Sequence, residues 1–392
     1  MRIVDVCKNV CSGSTPNKKH NEYYENGSIP WLNTSEVNFG RIRKTEKYIS
    51  QIGLEHSSAK WVSENTVVVA MYGATAGKTA ITKIPLTTNQ ACCNLVVDEN
   101  KADYRYVFYY LKNMYSHLSS LANGGAQQNL NAGQIKDYPF AWRELSEQKK
   151  IADILSILDD KIETNEKINN NLEQQAQALF KAWFVDFETN SGTMPSNWKT
   201  ASLSSIARIS TEVFSPSKNP NVEVEHYSIP ALDENRYPVF EKSDGIKSNK
   251  YRLTHNSVMI SKLNPDTKRI WRPYCISNTP VCSTEFIVYE PVKTSYRDFV
   301  YSIIDSEKFS NFLCAHTTGS TNSRQRVTPS ITLNYDIVLP DDETICMFSS
   351  IVSPMYDTIE NNIKENQLLA ETRDKLLPKL MSGELDVSNI DL

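Results

Sequence analysis

Residues 144–188, ELSEQKKIADILSILDDKIETNEKINNNLEQQAQALFKAWFVDFE, carry a seam at alternating steps of four and three. It runs Ile151, Leu155, Leu158, Ile162, Asn165, Asn169, Leu172, Ala176, Leu179 and Trp183. Residues 341–386, DDETICMFSSIVSPMYDTIENNIKENQLLAETRDKLLPKLMSGELD, carry a second at an offset of 197: Phe348, Val352, Met355, Ile359, Asn362, Asn366, Leu369, Arg373, Leu376 and Leu380. A four-three repeat sustained over several heptads is the pattern of a coiled-coil seam. Both copies break to Asn at the same two central positions. An antiparallel pairing that sets Asn165 and Asn169 against Asn366 and Asn362 matches apolar residues along the rest of the seam, with Leu158 facing Arg373 the one poor match. Buried amide pairs penalise a slipped register, which leaves amides facing leucine; the alternative is that these Asn are solvated.

A chain of 392 residues suggests two to three domains. No apolar run approaches a membrane span, and Met1-Arg2-Ile3-Val4-Asp5 starts without a signal-peptide stretch, so the expected location is cytoplasmic. Eight scattered Cys without CxxC spacing and six His give no metal pattern and suggest reduced thiols.

Net charge is −4, but residues 144–188 carry −5 and residues 341–386 carry −6, which leaves +7 for the remainder. Acidity sits on the helical segments and the globular parts are basic, which fits polyanion binding as well as it fits ordinary scatter.

Those globular parts echo each other. In 1–142, Val67–Ala70 reads as a buried strand, Thr79–Ile84 as another, and Tyr104–Leu121 as a helix packed on the sheet. In 191–340, Ser215-Pro216-Ser217-Lys218 repeats Thr15-Pro16-Asn17-Lys18, and Ile229-Pro230 repeats Ile29-Pro30, both at an offset of 200. Val258–Ser261 matches Val67–Ala70. The turn after that strand becomes Lys262–Arg269, and the loop Gly319–Arg326 matches the one around Gly125. Gly73-Ala74-Thr75-Ala76-Gly77-Lys78-Thr79 looks like a phosphate loop but has three residues between its glycines where four are needed, and a strand follows it. A strand–turn–strand carrying Lys78 toward a ligand is the better reading.

Equivalent loops carry different polar tips: Gln127, Gln128 and Asn129 in one, Arg324, Gln325 and Arg326 in the other. Arg suits guanine and Asn or Gln suits adenine in the major groove. Tyr72, Lys78 and Asn264 are further DNA-binding candidates, and Lys18, Lys19, Arg41, Arg43, Lys44, Lys262, Lys268 and Arg269 are candidate phosphate contacts.

Glu147-Gln148-Lys149-Lys150-Ile151-Ala152, Leu158-Asp159-Asp160-Lys161-Ile162, Leu179-Phe180-Lys181-Ala182-Trp183-Phe184 and, in the second half, Leu376-Leu377-Pro378-Lys379-Leu380-Met381-Ser382-Gly383-Glu384-Leu385 resemble the DNA-specificity subunit of type I restriction–modification enzymes. So does the layout of two variable regions, each followed by a repeated helix. Pro354, inside the second helix, departs from the pattern and is expected to kink that helix or shift its start.

The resemblance implies an α/β (α+β) fold: two pseudo-repeated target-recognition domains, 1–142 and 191–340, joined by two long antiparallel coiled-coil helices (143–190 and, with the tail, 341–392) under pseudo-twofold internal symmetry. It implies binding of double-stranded DNA at a bipartite site, no catalytic residues and no cofactor on this chain. Two methyltransferase subunits carrying S-adenosylmethionine would dock on the helices through Ile154, Ile168, Phe180 and Phe184, and a translocating restriction subunit can join them. A helix of about 40 residues is about 60 Å long, under two duplex turns. Two rival readings are a stand-alone DNA methyltransferase and a structural coiled-coil scaffold that binds protein. Against the first, there is no Asn-Pro-Pro-aromatic tetrapeptide (Asn264-Pro265-Asp266-Thr267 fails) and no glycine-rich cofactor loop after a strand.

Overall fold

The structure is a computed structural model that describes residues 1–122, 129–318, 325–388 and 390. The chain forms two compact units: Met1–Asp160 with Leu369–Leu392, and Lys161–Leu368. Each contains one globular region and a stretch of both long helices, the central helix Leu145–Phe184 and the distal helix Asp342–Ser382.

In unit 1 a five-stranded sheet has the order Cys7–Ser12, Cys92–Val97, Val67–Ala70, Thr79–Thr82, Arg41–Ile42. In unit 2 a four-stranded sheet has the order Ala207–Ser210, Phe286–Pro291, Val258–Ser261, Ile270–Trp271. The first four strands correspond one to one and all pair antiparallel. Each unit adds a second sheet whose centre is a parallel pair: Ile29–Leu32 with Leu86–Thr88, and Glu223–Tyr227 with Pro280–Ser283. The two lobes share one fold.

The buried strands show why. Val67 and Val69 point into a core shared with the helices, whereas Val68 and Ala70 point into a separate core under the second sheet. Val258 and Ile260 likewise face the helical side while Met259 faces the other. A strand with period-two side chains and both faces covered must be apolar throughout, and both strands are almost so.

The expected helix over 104–121 is two helices, Tyr104–Asn113 and Tyr115–Ser120, broken at Met114 (φ −88°, ψ 8°). Their counterparts are Arg297–Asp305 and Glu307–Ala315. The echo of Ile29-Pro30 in Ile229-Pro230 is a false match. Ile29–Leu32 is a strand, whereas Ile229–Asn235 is a helix capped by Ser228, with Pro230 in its first turn where a missing N–H costs nothing. The true counterpart of Ile29–Leu32 is Glu223–Tyr227.

The helices run antiparallel in each unit. In unit 1, Ile151 and Leu155 share a core with Leu377 and Leu380, and Arg143 Nη2 donates to the Met381 carbonyl (3.0 Å). The poor match at Leu158 is resolved next door: Arg373 turns to Asp159 (2.6 Å). In unit 2, Asn165 Nδ2 donates to Asn366 Oδ1 and Asn362 Nδ2 to Asn169 Oδ1, both at 2.8 Å, and Asn165 and Asn169 are buried. The distal helix runs through Pro354 without interruption. Its start is set upstream, where Asp341 Oδ1 accepts from the Thr344 amide (2.9 Å) and Ile345, Phe348 and Val352 are fully buried.

Candidate nucleic-acid interface

Each unit joins the turn after its most buried strand to the base of one loop, by the same backbone bonds. In unit 1 the Leu130 amide donates to the Met71 carbonyl (2.8 Å), and the Met71 amide to the Ala91 carbonyl (2.8 Å). In unit 2 the Val327 amide donates to the Lys262 carbonyl (3.0 Å), and the Lys262 amide to the Glu285 carbonyl (2.9 Å). The turns have equal length, closed by Ala70 N to Lys78 O (2.9 Å) and Ser261 N to Arg269 O (2.8 Å). Isolated bridges pair Tyr72 with Asn129 and Leu263 with Arg326. Met71 therefore corresponds to Lys262, Lys78 to Arg269, Ala91 to Glu285 and Asn129 to Arg326.

The unit 1 turn is a single 3-10 turn, Gly73–Thr75, followed by the strand Thr79–Thr82. The turn leads into a strand and not into a helix, so the phosphate-loop likeness has no structural counterpart. Gly77 sits at φ +85°, and a Cβ there would lie 3.2 Å from the Ser119 amide nitrogen, so glycine is required. In unit 2 the turn takes its left-handed residue at Asn264 (φ +49°), a residue type that tolerates this region. The Asn264 amide donates to the Gln325 carbonyl (2.9 Å).

The structure thus gathers Tyr72, Lys78 and Asn129 on one unit and Lys262, Asn264, Gln325 and Arg326 on the other. Tyr72 is 44% exposed, and Lys78 Nζ donates to Asn38 Oδ1 (2.7 Å). Gln127, Gln128 and Arg324 lie outside the described residues. Lys18 and Lys19 are exposed on a loop tied to the same sheet end, with the Ser14 amide donating to the Thr88 carbonyl (2.9 Å). Arg43 and Lys44 are exposed in the turn after Ile42, and Arg41 is ion-paired with Asp160.

Two cations expected to meet phosphates, Arg269 and Lys268, and one expected to meet a base, Arg326, hold carboxylates. Arg269 makes a two-pronged bond to Asp233 (2.7 and 2.9 Å), Lys268 pairs with Asp305 (2.5 Å), and Arg326 makes a two-pronged bond to Glu285 (3.2 and 3.0 Å). The first two pairs border a cavity of about 290 Å³, with Arg236 and Glu173 a third pair on its wall. Burial pushes the Asp305 carboxyl above its usual range even beside Lys268.

Of the four residues expected to dock partners, Ile168 is 41% exposed and Ile154 is half-buried against the unit 1 core. Phe180 and Phe184 are corrections. They are 9% and 4% exposed and pack edge-on with Phe348 and Phe299 in the unit 2 core. Burying each ring is worth about 1.5–3 kcal/mol, so they belong to the fold. The exposed apolar residues on the long helices include Ile157, Met347 and Ile351, which sequence reading missed. It also missed Asn38, Asp233 and Glu285, the partners of the turn and loop cations. A signal for two of them existed: Asn38 and Asp233 are 195 residues apart, as are the caps Asn33 and Ser228.

Residues 1–174 match a family described as the type I restriction modification DNA specificity domain. The specificity subunit of the MjaIX type I restriction enzyme of Methanocaldococcus jannaschii is 26% identical over 99% of this chain and 94% of its own length. Residues 1–174 thus carry this specificity domain, and nearly the whole chain is similar to a specificity subunit of a type I restriction enzyme. The HindI specificity subunit of Haemophilus influenzae is also 26% identical, over 61% of this chain and 67% of its own. A crystal structure of a type I restriction–modification S subunit from M. genitalium shares the fold, with a TM-score of 0.58 at 18% identity, covering 97% of this chain and 95% of that one. A specificity subunit is not itself the catalyst, and a stand-alone methyltransferase finds no support among these relatives. Among the described residues no helix is long and apolar enough to cross a membrane.

Proposed function

We propose that this chain is the specificity subunit of a type I restriction–modification complex and reads a bipartite site in double-stranded DNA, one half with each unit, through the turn and loop base that each unit joins. The reading is carried by one observation: two copies of a single backbone arrangement present different side chains at equivalent positions, Lys78 and Asn129 in one, Arg269 and Arg326 in the other. Arg326 and Asn129 are base-reading residues, whereas Lys78, Lys18, Lys19 and Lys262 hold phosphates. The domains 1–142 and 191–340 are the two readers, and the helices 143–190 and 341–392 join them.

The chain supplies recognition and not chemistry. Two methyltransferase subunits dock on the long helices, where Ile157, Ile168, Met347 and Ile351 offer exposed apolar side chains. Those subunits bind S-adenosylmethionine and flip an adenine for methylation; a translocating restriction subunit joins for cleavage. The complex acts on DNA in the cytoplasm.

Sequencing the methylated positions in a host that carries this chain with its methyltransferase partner tests the proposal. A bipartite motif is expected, and Arg326→Ala should relax one half only, by about 10- to 100-fold in preference at one base pair. If both halves relax together, or neither does, the division between the units is wrong.

A further inference from the structure

We infer that Glu285 is a positioning residue of the unit 2 reader: it grips Arg326 by one edge and so presents the other edge to a guanine, making the pair, and not the arginine alone, the determinant of base preference. This rests on the reading of Arg326 as a DNA-facing residue.

A guanidinium has five N–H donors in a fixed plane. Glu285 Oε2 accepts from Arg326 Nε (3.2 Å) and Oε1 from Nη2 (3.0 Å), which occupies the side edge. Among the described residues nothing else holds the side chain, and the end edge, one N–H on Nη1 and the second on Nη2, remains as a parallel fork. That fork matches O6 and N7 of guanine in the major groove. Glu285 is itself held from two sides. Its carbonyl accepts from the Lys262 amide (2.9 Å), and its amide donates to Ser283 Oγ (3.2 Å). The carboxylate is therefore fixed to the same strand end that anchors the loop through Lys262 and Val327.

Stability does not account for the pair. The Arg326 side chain is 54% exposed, and exposed ion pairs add little to folding. A carboxylate beside a DNA-facing arginine also lowers attraction to phosphate. A group that weakens general affinity while ordering a long side chain is a device for specificity. The other unit is an internal control. There the equivalent residues are Asn129 and Ala91, a short amide that needs no buttress and a side chain that supplies none.

The test uses the full chain assembled with its methyltransferase partner, presented with a randomised duplex library from which retained duplexes are sequenced. Binding to one fixed duplex lacking the motif is measured in parallel. Wild type should select a guanine in the unit 2 half. Glu285→Ala and Arg326→Ala should each lose that preference by about tenfold or more at the same position, with the other half unaltered. The two variants should part on the fixed duplex, where Glu285→Ala binds at least as tightly as wild type and Arg326→Ala binds more weakly. A purely structural role for Glu285 does not raise general affinity while lowering selectivity. If Glu285→Ala keeps the guanine preference that Arg326→Ala loses, the positioning role is overturned and the reading of Arg326 survives. If Arg326→Ala loses nothing, that reading falls and this inference with it. Should Glu285→Ala fail to fold, Glu285→Gln, which keeps the shape and one acceptor, should show an intermediate preference; an unchanged preference overturns the inference.

Discussion

Unit 1 closes its turn with Lys78 on Asn38, and unit 2 closes the equivalent turn with Arg269 on Asp233. The backbone is common, but the electrostatics are opposite in kind. Half-buried Lys78 bonds a neutral amide, and no ion pair holds it among the described residues, so no carboxylate neutralises its charge. Arg269 and Arg326 each carry their own carboxylate and are locally neutral. A lysine is a point charge suited to a phosphate, and an arginine fork braced by a carboxylate is suited to a planar edge. The difference extends into the core. Unit 1 has Ile81 in the strand beside Val67. At the corresponding position unit 2 has Arg272, held by Asp298 (2.8 Å), Asp357 (2.9 Å) and Glu360 (3.3 Å). One scaffold thus tolerates an apolar and an ionic solution at the same place, provided that the ionic one is fully paired.

The largest expected effect breaks the comparison at that position. Arg272→Ile installs the residue of unit 1 but strands Asp298, which is nearly buried, without a counter-charge. Removing one member of a buried pair costs about 3–5 kcal/mol. Denaturant unfolding of the full chain should show that loss. A cost below about 1 kcal/mol would mean that Asp298 finds another partner.

The helix pair offers a second contrast. In unit 1 an ion pair, Arg373–Asp159, crosses between the helices, and in unit 2 the central seam positions pair amides. Asn165→Leu should cost about 1–3 kcal/mol, because Asn366 Oδ1 is left facing a methyl group. Adding Asn366→Leu should recover most of it, since an apolar pair replaces a polar one. If the double variant is no more stable than the single, the amide pair is not the unit that matters.

Why these helices were legible and the site was not is a matter of range. The seam repeats within four residues, so Ile151, Leu155 and Asn165 announce their faces locally, and the matching Asn in both copies give the register. The alternation of Val67–Ala70 between two cores needs no distant information beyond burial. By contrast, Glu285 meets Arg326 at a chain separation of 41, and nothing near either residue marks the other. Phe180 and Phe184 illustrate the opposite error. They sit off the four-three seam and so look unpaired, yet a globular unit wraps the helix and buries them. Ile229-Pro230 misleads because a constant offset of 200 ignores the shorter spacing that places Ser228 opposite Asn33.

A smaller effect sharpens the contrast between the turns. Lys78→Ala should weaken binding to any duplex alike and reduce the slope of log affinity against log salt by about 1. Arg269→Ala should leave that slope unchanged, because Asp233 already neutralises the charge, and should show its effect in stability instead. Titrations of the assembled complex at several salt concentrations separate the two. Equal changes in slope would place both side chains on phosphates and erase the distinction drawn between the units.

The smallest effect concerns pH and a position where the second sheets differ. Unit 1 has Trp31, bonded through Nε1 to the Ser14 carbonyl (3.0 Å), and unit 2 has His226 in the same register. Burial holds the His226 imidazole below its ordinary range, partly offset by Glu241 at 2.7 Å, while Lys250 acts with burial. The unfolded chain therefore binds this proton more readily than the folded one. Stability from this residue is fully present above the ordinary histidine range and falls as pH drops from there toward the lowered folded value. The urea midpoint of wild type should decline between neutral pH and pH of about 5. His226→Trp, which copies unit 1, removes the titrating group, and His226→Gln does so with less change in volume. A flatter acid limb in His226→Gln than in wild type is the expected outcome. An equally steep limb in both would assign the acid sensitivity to other groups and leave the two sheets equivalent in this respect.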